Sequence, residues 1–194
     1  MALFAYFVAY FLLTFVVRSW LVWRRTGINP LVLPQRDDAY GYVGRAFKVV
    51  IALVACVVGM HAFAPQWLHT LGPITALQMQ AVGYAGWALL GLTLVWMLVA
   101  QAQMGNAWRV GIDENNPTQL VCTGLFAVSR NPVFLAMRVN LLGLFLVLPN
   151  AATASLLVVG EVLMQVQVRL EEAHLLALHG QAYQDYCARV RRWV

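Results

Sequence analysis

An all-α integral membrane bundle is the fold class this sequence predicts. About five transmembrane helices and a cytoplasmic C-terminal amphipathic helix are expected. Three observations lead there. Of the 194 residues, 61% are hydrophobic and only 11% are charged, whereas about a quarter of a soluble domain is charged. No charged residue occurs between Lys48 and Arg109. Several apolar runs reach or approach the roughly 20 residues that a spanning helix needs. The length argues for one membrane domain over residues 1–194.

The elements follow in order. Residues 1–23 form the first span, with no basic leader and no small-residue cleavage site, so no cleaved signal peptide is expected. Spans two and three fall near residues 49–64 and 74–100, separated by Pro65 and Gly72-Pro73. Residues 132–148 and 151–168 make a hairpin about the turn Pro149-Asn150. Residues 102–131 and 169–194 are polar and read as cytoplasmic elements. The stretch from Gln35 to Tyr42 reads as a surface turn or short interfacial helix.

Charge sets the orientation. Arg24, Arg25, Arg36, Arg45 and Lys48 follow span one. Arg109 and Arg130 follow span three, and Arg169, Arg189, Arg191 and Arg192 lie in the tail. The other connections carry no cation. The N-terminus is therefore expected outside and the C-terminus in the cytoplasm, as in a bacterial inner membrane protein. Trp20, Trp23, Trp67 and Trp108 fall near interfaces, where aromatic anchors sit. The net charge of +5 flanks apolar spans and forms no basic groove, which argues against nucleic acid and for anionic lipid headgroups. Cys56, Cys122 and Cys187 match no metal or redox spacing, and the four histidines show no ligand pattern, so no metal site is expected. Cys56 lies in an apolar run and is expected in the core.

Arg138 and Glu161 lie equally far in sequence from the Pro149-Asn150 turn, about 17 Å along each helix at 1.5 Å per residue. A lone charge at that depth is expensive, so a contact between the two is expected.

Polar chemistry collects at the cytoplasmic end. Gly124 permits a tight turn and close backbone approach. Pro132 suits the first turn of a helix, whose free amides favour an electron-rich group. Asn131 has the residue type of a helix cap. Arg130 has the fork that grips a carboxylate. Glu171 and Glu172 follow the fifth span; one is expected to pair with Arg169 or Arg130, leaving the other for an amine or ribose hydroxyls. Gly180 ends that helix, and Tyr183, Tyr186 and Val190 recur at helical spacing. No nucleophile–base pair or phosphate loop is present. Group transfer from a bound cofactor fits such a site, where protein supplies positioning and electrostatics.

The motifs in this half are Met104-Gly105-Asn106-Ala107-Trp108, Leu120-Val121-Cys122-Thr123-Gly124-Leu125-Phe126 and Arg130-Asn131-Pro132-Val133-Phe134-Leu135-Ala136. They are followed by Glu171-Glu172 and Gly180-Gln181-Ala182-Tyr183-Gln184-Asp185-Tyr186. In order and spacing the chain here resembles the isoprenylcysteine carboxyl methyltransferase and phospholipid methyltransferase superfamily of integral membrane enzymes. That resemblance implies S-adenosylmethionine as methyl donor from the cytoplasm and a lipophilic acceptor arriving from the bilayer. It implies a cofactor site at Gly124, Leu125, Arg130, Asn131, Pro132, Phe134, Glu171, Glu172, His179, Tyr183 and Tyr186. Arg130, Arg138 and Glu172 are the expected catalytic residues, and a carboxylate acceptor, oriented by Arg130 or Arg138, needs no general base. Asn131, Phe134 and Ala136 depart from the superfamily's His, Tyr and Gly; Asn hydrogen-bonds but does not titrate near neutrality. The alternatives are an NADPH-dependent reductase of sterol-reductase type, whose tail shows Arg-Asp rather than Glu-Glu, and a non-enzymatic membrane scaffold.

Overall fold

The computed structural model describes residues 1–32, 37–111 and 116–194. Gln35 and Arg36 of the first loop lie outside the described residues. The fold is all-helical, as expected, with no strand among the described residues. We number the helices α1 (Ala2–Thr26), α2 (Ala39–Phe63), α3 (Gln80–Met104), α4 (Pro132–Val147), α5 (Ala151–His179) and α6 (Gln181–Arg189). α1, α2, α3 and α5 are long and apolar enough to cross a bilayer, so this is a multi-pass membrane protein. α4 has 16 residues, about 24 Å of helix against a hydrocarbon core of about 30 Å.

Local chemistry moves several expected boundaries. α2 begins at Ala39 rather than near residue 49, because Asp38 caps it: its carboxylate accepts the Gly41 amide at 2.8 Å. α3 begins at Gln80 rather than Ile74. The intervening chain forms 3₁₀ turns (Pro65–Leu71 and Thr75–Leu77) pinned to the α4–α5 turn. There the Ile74 amide donates to Pro149 O at 3.0 Å, and the Ala151 amide to Gly72 O at 2.8 Å. Asn150 and Thr153 close a reciprocal capping box on α5.

α5 does not stop at residue 168. It runs unbroken to His179, so Glu171 and Glu172 ride on the same helix as the apolar stretch. Its 29 residues span about 44 Å, well beyond the hydrocarbon thickness. Arg169, Glu171 and Glu172 lie toward its C-terminal end, where the excess length is expected to leave the hydrocarbon. Gly180, at φ +53°, ends the helix. Tyr183 and Tyr186 are buried on one face of α6, while Val190 has already left the helix in an extended conformation.

Packing centres on Val50, Val54, Val57 and Val58 of α2, Leu90 of α3, Leu144 of α4 and Leu156 of α5, closed by Leu3 of α1. α3 and α4 meet most closely. A Cβ on Gly86 would lie 2.8 Å from the Val147 backbone nitrogen and 2.9 Å from Gly143 O, the close approach that small residues permit between membrane helices. α1 contains a π-helical stretch, Leu12–Val17. Cys56, expected in the core, is exposed, on a bundle surface that an apolar residue in lipid has no reason to avoid. Trp20, Trp23 and Trp67 are exposed as anchors would be, but Trp108 is buried.

Candidate functional site

Three cavities adjoin one another through the bundle. An apolar slot of about 110 Å³ lies between α1, α2, α3, α4 and α5, lined by Phe7, Val54, Leu90 and Leu141 among others. A junction cavity of about 200 Å³ shares Phe15, Phe47, Ile51 and Met137 with that slot. A polar cavity of about 110 Å³ shares Arg130, Asn131, Phe126 and Glu171 with the junction and adds Thr118, Gln119 and His174. Among the described residues the slot and the polar cavity have no lining residue in common, so the junction is where an apolar ligand and a polar one would meet.

Local structure around the junction is set by a few residues. Gly124 has φ +64°, and a Cβ there would fall 2.4 Å from the Gln103 amide. Only glycine leaves room for Gln103 Oε1 to accept the Leu125 amide at 2.7 Å. Trp96 Nε1 donates to Pro132 O at 2.9 Å and ties the start of α4 to α3. Pro132 is at the first turn of α4, as its missing N–H allows. Asn131 does not cap that helix. Its Nδ2 instead donates to Glu172 Oε1 at 3.1 Å and to Arg192 O at 3.3 Å.

Arg130, Asn131 and Glu172 form one network with the C-terminal strand of chain. Arg130 Nε and Nη2 donate to Glu172 Oε1, at 3.3 and 3.2 Å, and Nη1 to Cys187 O and Val190 O. The Arg130 amide donates to Arg191 O at 2.9 Å. Arg192 Nη2 meets Glu172 Oε2 at 2.7 Å. Burial opposes the charge on Glu172. The Arg192 hydrogen bond, the Arg130 charge and the Asn131 hydrogen bond outweigh it and hold this carboxyl below its ordinary range. Glu171 is the reverse case. It has no hydrogen bond or ion pair among the described residues, and burial followed by repulsion from Glu172 pushes it up to about 7.

Deeper, Arg138 and Glu161 do meet as expected: Nη2 donates to Oε1 at 2.8 Å, and Nε to Oε2. The Trp193 ring covers the Arg138 guanidinium at 4.2 Å. Arg138 lines none of the three cavities.

The expected site residues therefore divide. Arg130, Asn131, Glu171 and Tyr186 line the polar cavity; Pro132 and Phe134 line the junction. Gly124, Leu125, Glu172, His179 and Tyr183 line neither. Gly124, Leu125 and Glu172 shape or brace the walls. Tyr183 is buried with its ring centroid 6.1 Å from that of Tyr186, whose hydroxyl donates to Phe126 O. The His179 ring sits at the end of α5 with a buried, unpartnered Nε2. Sequence reasoning passed over Tyr40, Gln101 and Gln167 and read Trp108 as an interfacial anchor within a motif; all four are on the junction wall. Gln101 and Gln167 carried a signal: each is a polar residue in or beside an apolar run, where polar groups are costly and tend to be functional.

Residues 79–182 match the family model described as phospholipid methyltransferase, a little over half of the chain. The chain belongs to the phospholipid methyltransferase family. Its function is thereby of the membrane methyltransferase kind, within the superfamily that the motifs resemble. A curated relative is the nickel-cobalt-cadmium resistance protein NccN of Alcaligenes xylosoxydans xylosoxydans, 30% identical over 105 residues. That match covers 53% of this chain and 49% of the relative, so the chain spans about half the relative's length.

Proposed function

We propose that this protein transfers a methyl group from S-adenosylmethionine to a lipophilic acceptor at the cytoplasmic membrane face. The observation that carries the reading is the series of adjoining cavities, polar at one end, apolar at the other, with a shared wall at Arg130, Asn131 and Glu171. The residues of the polar cavity fit the donor. Glu171, unpaired, suits its cationic groups; Leu175 and Leu178 offer apolar surface for a purine; Thr118 and Gln119 offer hydrogen bonds to a ribose.

When bound, the donor supplies a methyl carbon on a positively charged sulfur. The acceptor's lone pair forms the new bond as the carbon–sulfur bond breaks, and that bond's electrons stay on sulfur. The chain's own part is to position the two ligands. The Arg130–Glu172–Arg192 network holds the C-terminal segment against α5 and keeps Glu171 facing the cavities. Phe15, Phe47, Ile51 and Met137 exclude water between head and tail of the acceptor. The carboxylate preference loses its two candidate ligands. Arg130 is engaged by Glu172 and two carbonyls, and Arg138, engaged by Glu161 and Trp193, lines none of the three cavities. The clustering of Arg and Lys supports a cytoplasmic position for this end of the bundle, where the donor is found.

The test is calorimetric binding of S-adenosylhomocysteine to the detergent-purified protein, with NADPH as the control. Binding of S-adenosylhomocysteine alone is expected. Binding of NADPH alone would replace the proposal with the reductase reading, and binding of neither would leave a scaffold. The metal resistance in the relative's name is not proposed for this chain: no group of three His, Cys, Asp or Glu side chains among the described residues is placed to hold a metal.

A further inference from the structure

Gln101 and Trp108 line the junction cavity, and each has a buried side-chain atom that no protein group satisfies, Gln101 Oε1 and Trp108 Nε1. Gln101 is 1% exposed and Trp108 is 5% exposed. The Gln101 amide has a defined orientation. Its Nε2 donates at 2.9 Å to the carbonyl of Thr14, within the π-helical stretch of α1. A carbonyl only accepts, so the other end of the amide, Oε1, is the unmet acceptor. The indole N–H of Trp108 is a donor only. Buried polar groups are normally paired, and each exception needs a reason.

The neighbours do not supply one. Gln167 Nε2 is directed to Tyr40 Oη at 3.0 Å. Asn131 and Arg130 are directed to Glu172. Arg109 Nη1 is directed to the carbonyls of Asn106 and Trp108, each at 2.8 Å. Lys48 lies on the cavity's edge and is exposed to solvent. Gln101 and Trp108, which carry one unmet acceptor and one unmet donor, thus both line the cavity that joins the apolar slot to the polar one.

Resting on the methyl-transfer reading above, we propose that Gln101 and Trp108 read the acceptor's headgroup, and that this headgroup is neutral and proton-bearing, as an alcohol, thiol or uncharged amine is. Such a group donates to Gln101 Oε1 and accepts from Trp108 Nε1. A carboxylate accepts only. It satisfies Trp108 but sets lone pairs against Gln101 Oε1, and Glu171 adds repulsion from the same wall. The two residues are positioning and specificity residues; the proton that the headgroup sheds on methylation passes to the Glu171 carboxylate on the same cavity wall.

The experiment uses the full chain in amphipol and three probes that share one alkyl tail. These are 1-decanol, which donates and accepts, 1-methoxydecane, which accepts only, and decanoate, which accepts and is charged. Decanol is expected to bind about tenfold tighter than the ether, the effect of one hydrogen bond, and tighter than decanoate. Gln101→Leu is expected to remove the alcohol-over-ether preference. Trp108→Phe weakens both and keeps the preference, and it carries the test if Gln101→Leu does not fold. Equal affinity for alcohol and ether, tighter binding of decanoate, or a preference that survives Gln101→Leu overturns the proposal. S-adenosylhomocysteine binding, measured in parallel, separates the two readings. Its absence from the wild type removes the methyl-transfer reading, whereas its presence without an alcohol preference removes only the headgroup assignment.

Discussion

Two arginine–glutamate pairs, built from the same residue types, behave differently in this molecule. Arg138 and Glu161 face each other across the α4–α5 hairpin, one bidentate contact with one aromatic lid. Arg130 and Glu172 also join α4's start to α5, but Glu172 simultaneously holds Arg192 and Asn131, and Arg130 simultaneously holds two tail carbonyls. The first pair is a local register device. The second is a hub that attaches the last turns of chain to the wall of the candidate site. A pair's contribution depends on how many buried groups it leaves unmet when broken, not on its own geometry.

The largest effect is therefore expected at the hub. Glu172→Ala strands Arg130 and Arg192 and is expected to cost about 3–5 kcal/mol. In a detergent melt this is a fall of about 10 °C in apparent Tm, with loss of S-adenosylhomocysteine binding. A swap sharpens the contrast. Arg138→Glu with Glu161→Arg is expected to recover most of the stability lost in either single variant, because the two side chains are each other's charged partner and the exchange gives up only the Gln165 Nε2 hydrogen bond to Glu161. Arg130→Glu with Glu172→Arg is expected to recover none, since a carboxylate at 130 cannot donate to Cys187 O and Val190 O. Equal recovery in both would show that the hub is only a second register pair.

Gly124→Ala strikes the same wall without touching charge. Positive φ and a Cβ 2.4 Å from Gln103 are expected to cost about 2 kcal/mol and to weaken ligand binding through the displaced Leu125 amide. Glu161→Gln is milder, about 1 kcal/mol, because an amide still accepts from Arg138; an effect as large as that of Glu172→Ala would reverse the ranking.

The smallest effect concerns Glu171, and its sign is distinctive. Its carboxyl holds its proton to about pH 7 in the fold, but only to about 4.3 in an open chain. Stability is therefore lost as pH rises through that window and stays lost above it. Glu171→Gln is expected to raise apparent Tm by about 3 °C, the effect of ~1 kcal/mol, above pH 7 and not at pH 4. Binding of a cationic donor favours the ionised carboxylate, so affinity in the wild type is expected to strengthen from pH 6 to pH 8 and that slope to vanish in the variant. A pH-independent affinity in the wild type would remove Glu171 from the donor site.

The sequence by itself determined the membrane class, the α4–α5 hairpin and the Arg138–Glu161 contact. All three depend on short-range quantities, namely hydropathy, turn chemistry and a rise of 1.5 Å per residue. It also marked Arg130, Asn131 and Glu171 as neighbours in function. The tertiary structure alone decided what those residues are free to do. Arg130 looked like a carboxylate ligand until the chain folded Val190 and Arg192 back onto it and its partner. Asn131 looked like a cap until Glu172 claimed its amide. Trp108 looked like an interfacial anchor, and Gln101 drew no attention, until α1, α3 and α4 enclosed both around one cavity. A side chain's type states which hydrogen bonds it can make. Which of them remain unmet depends on partners many residues away, and packing alone selects those.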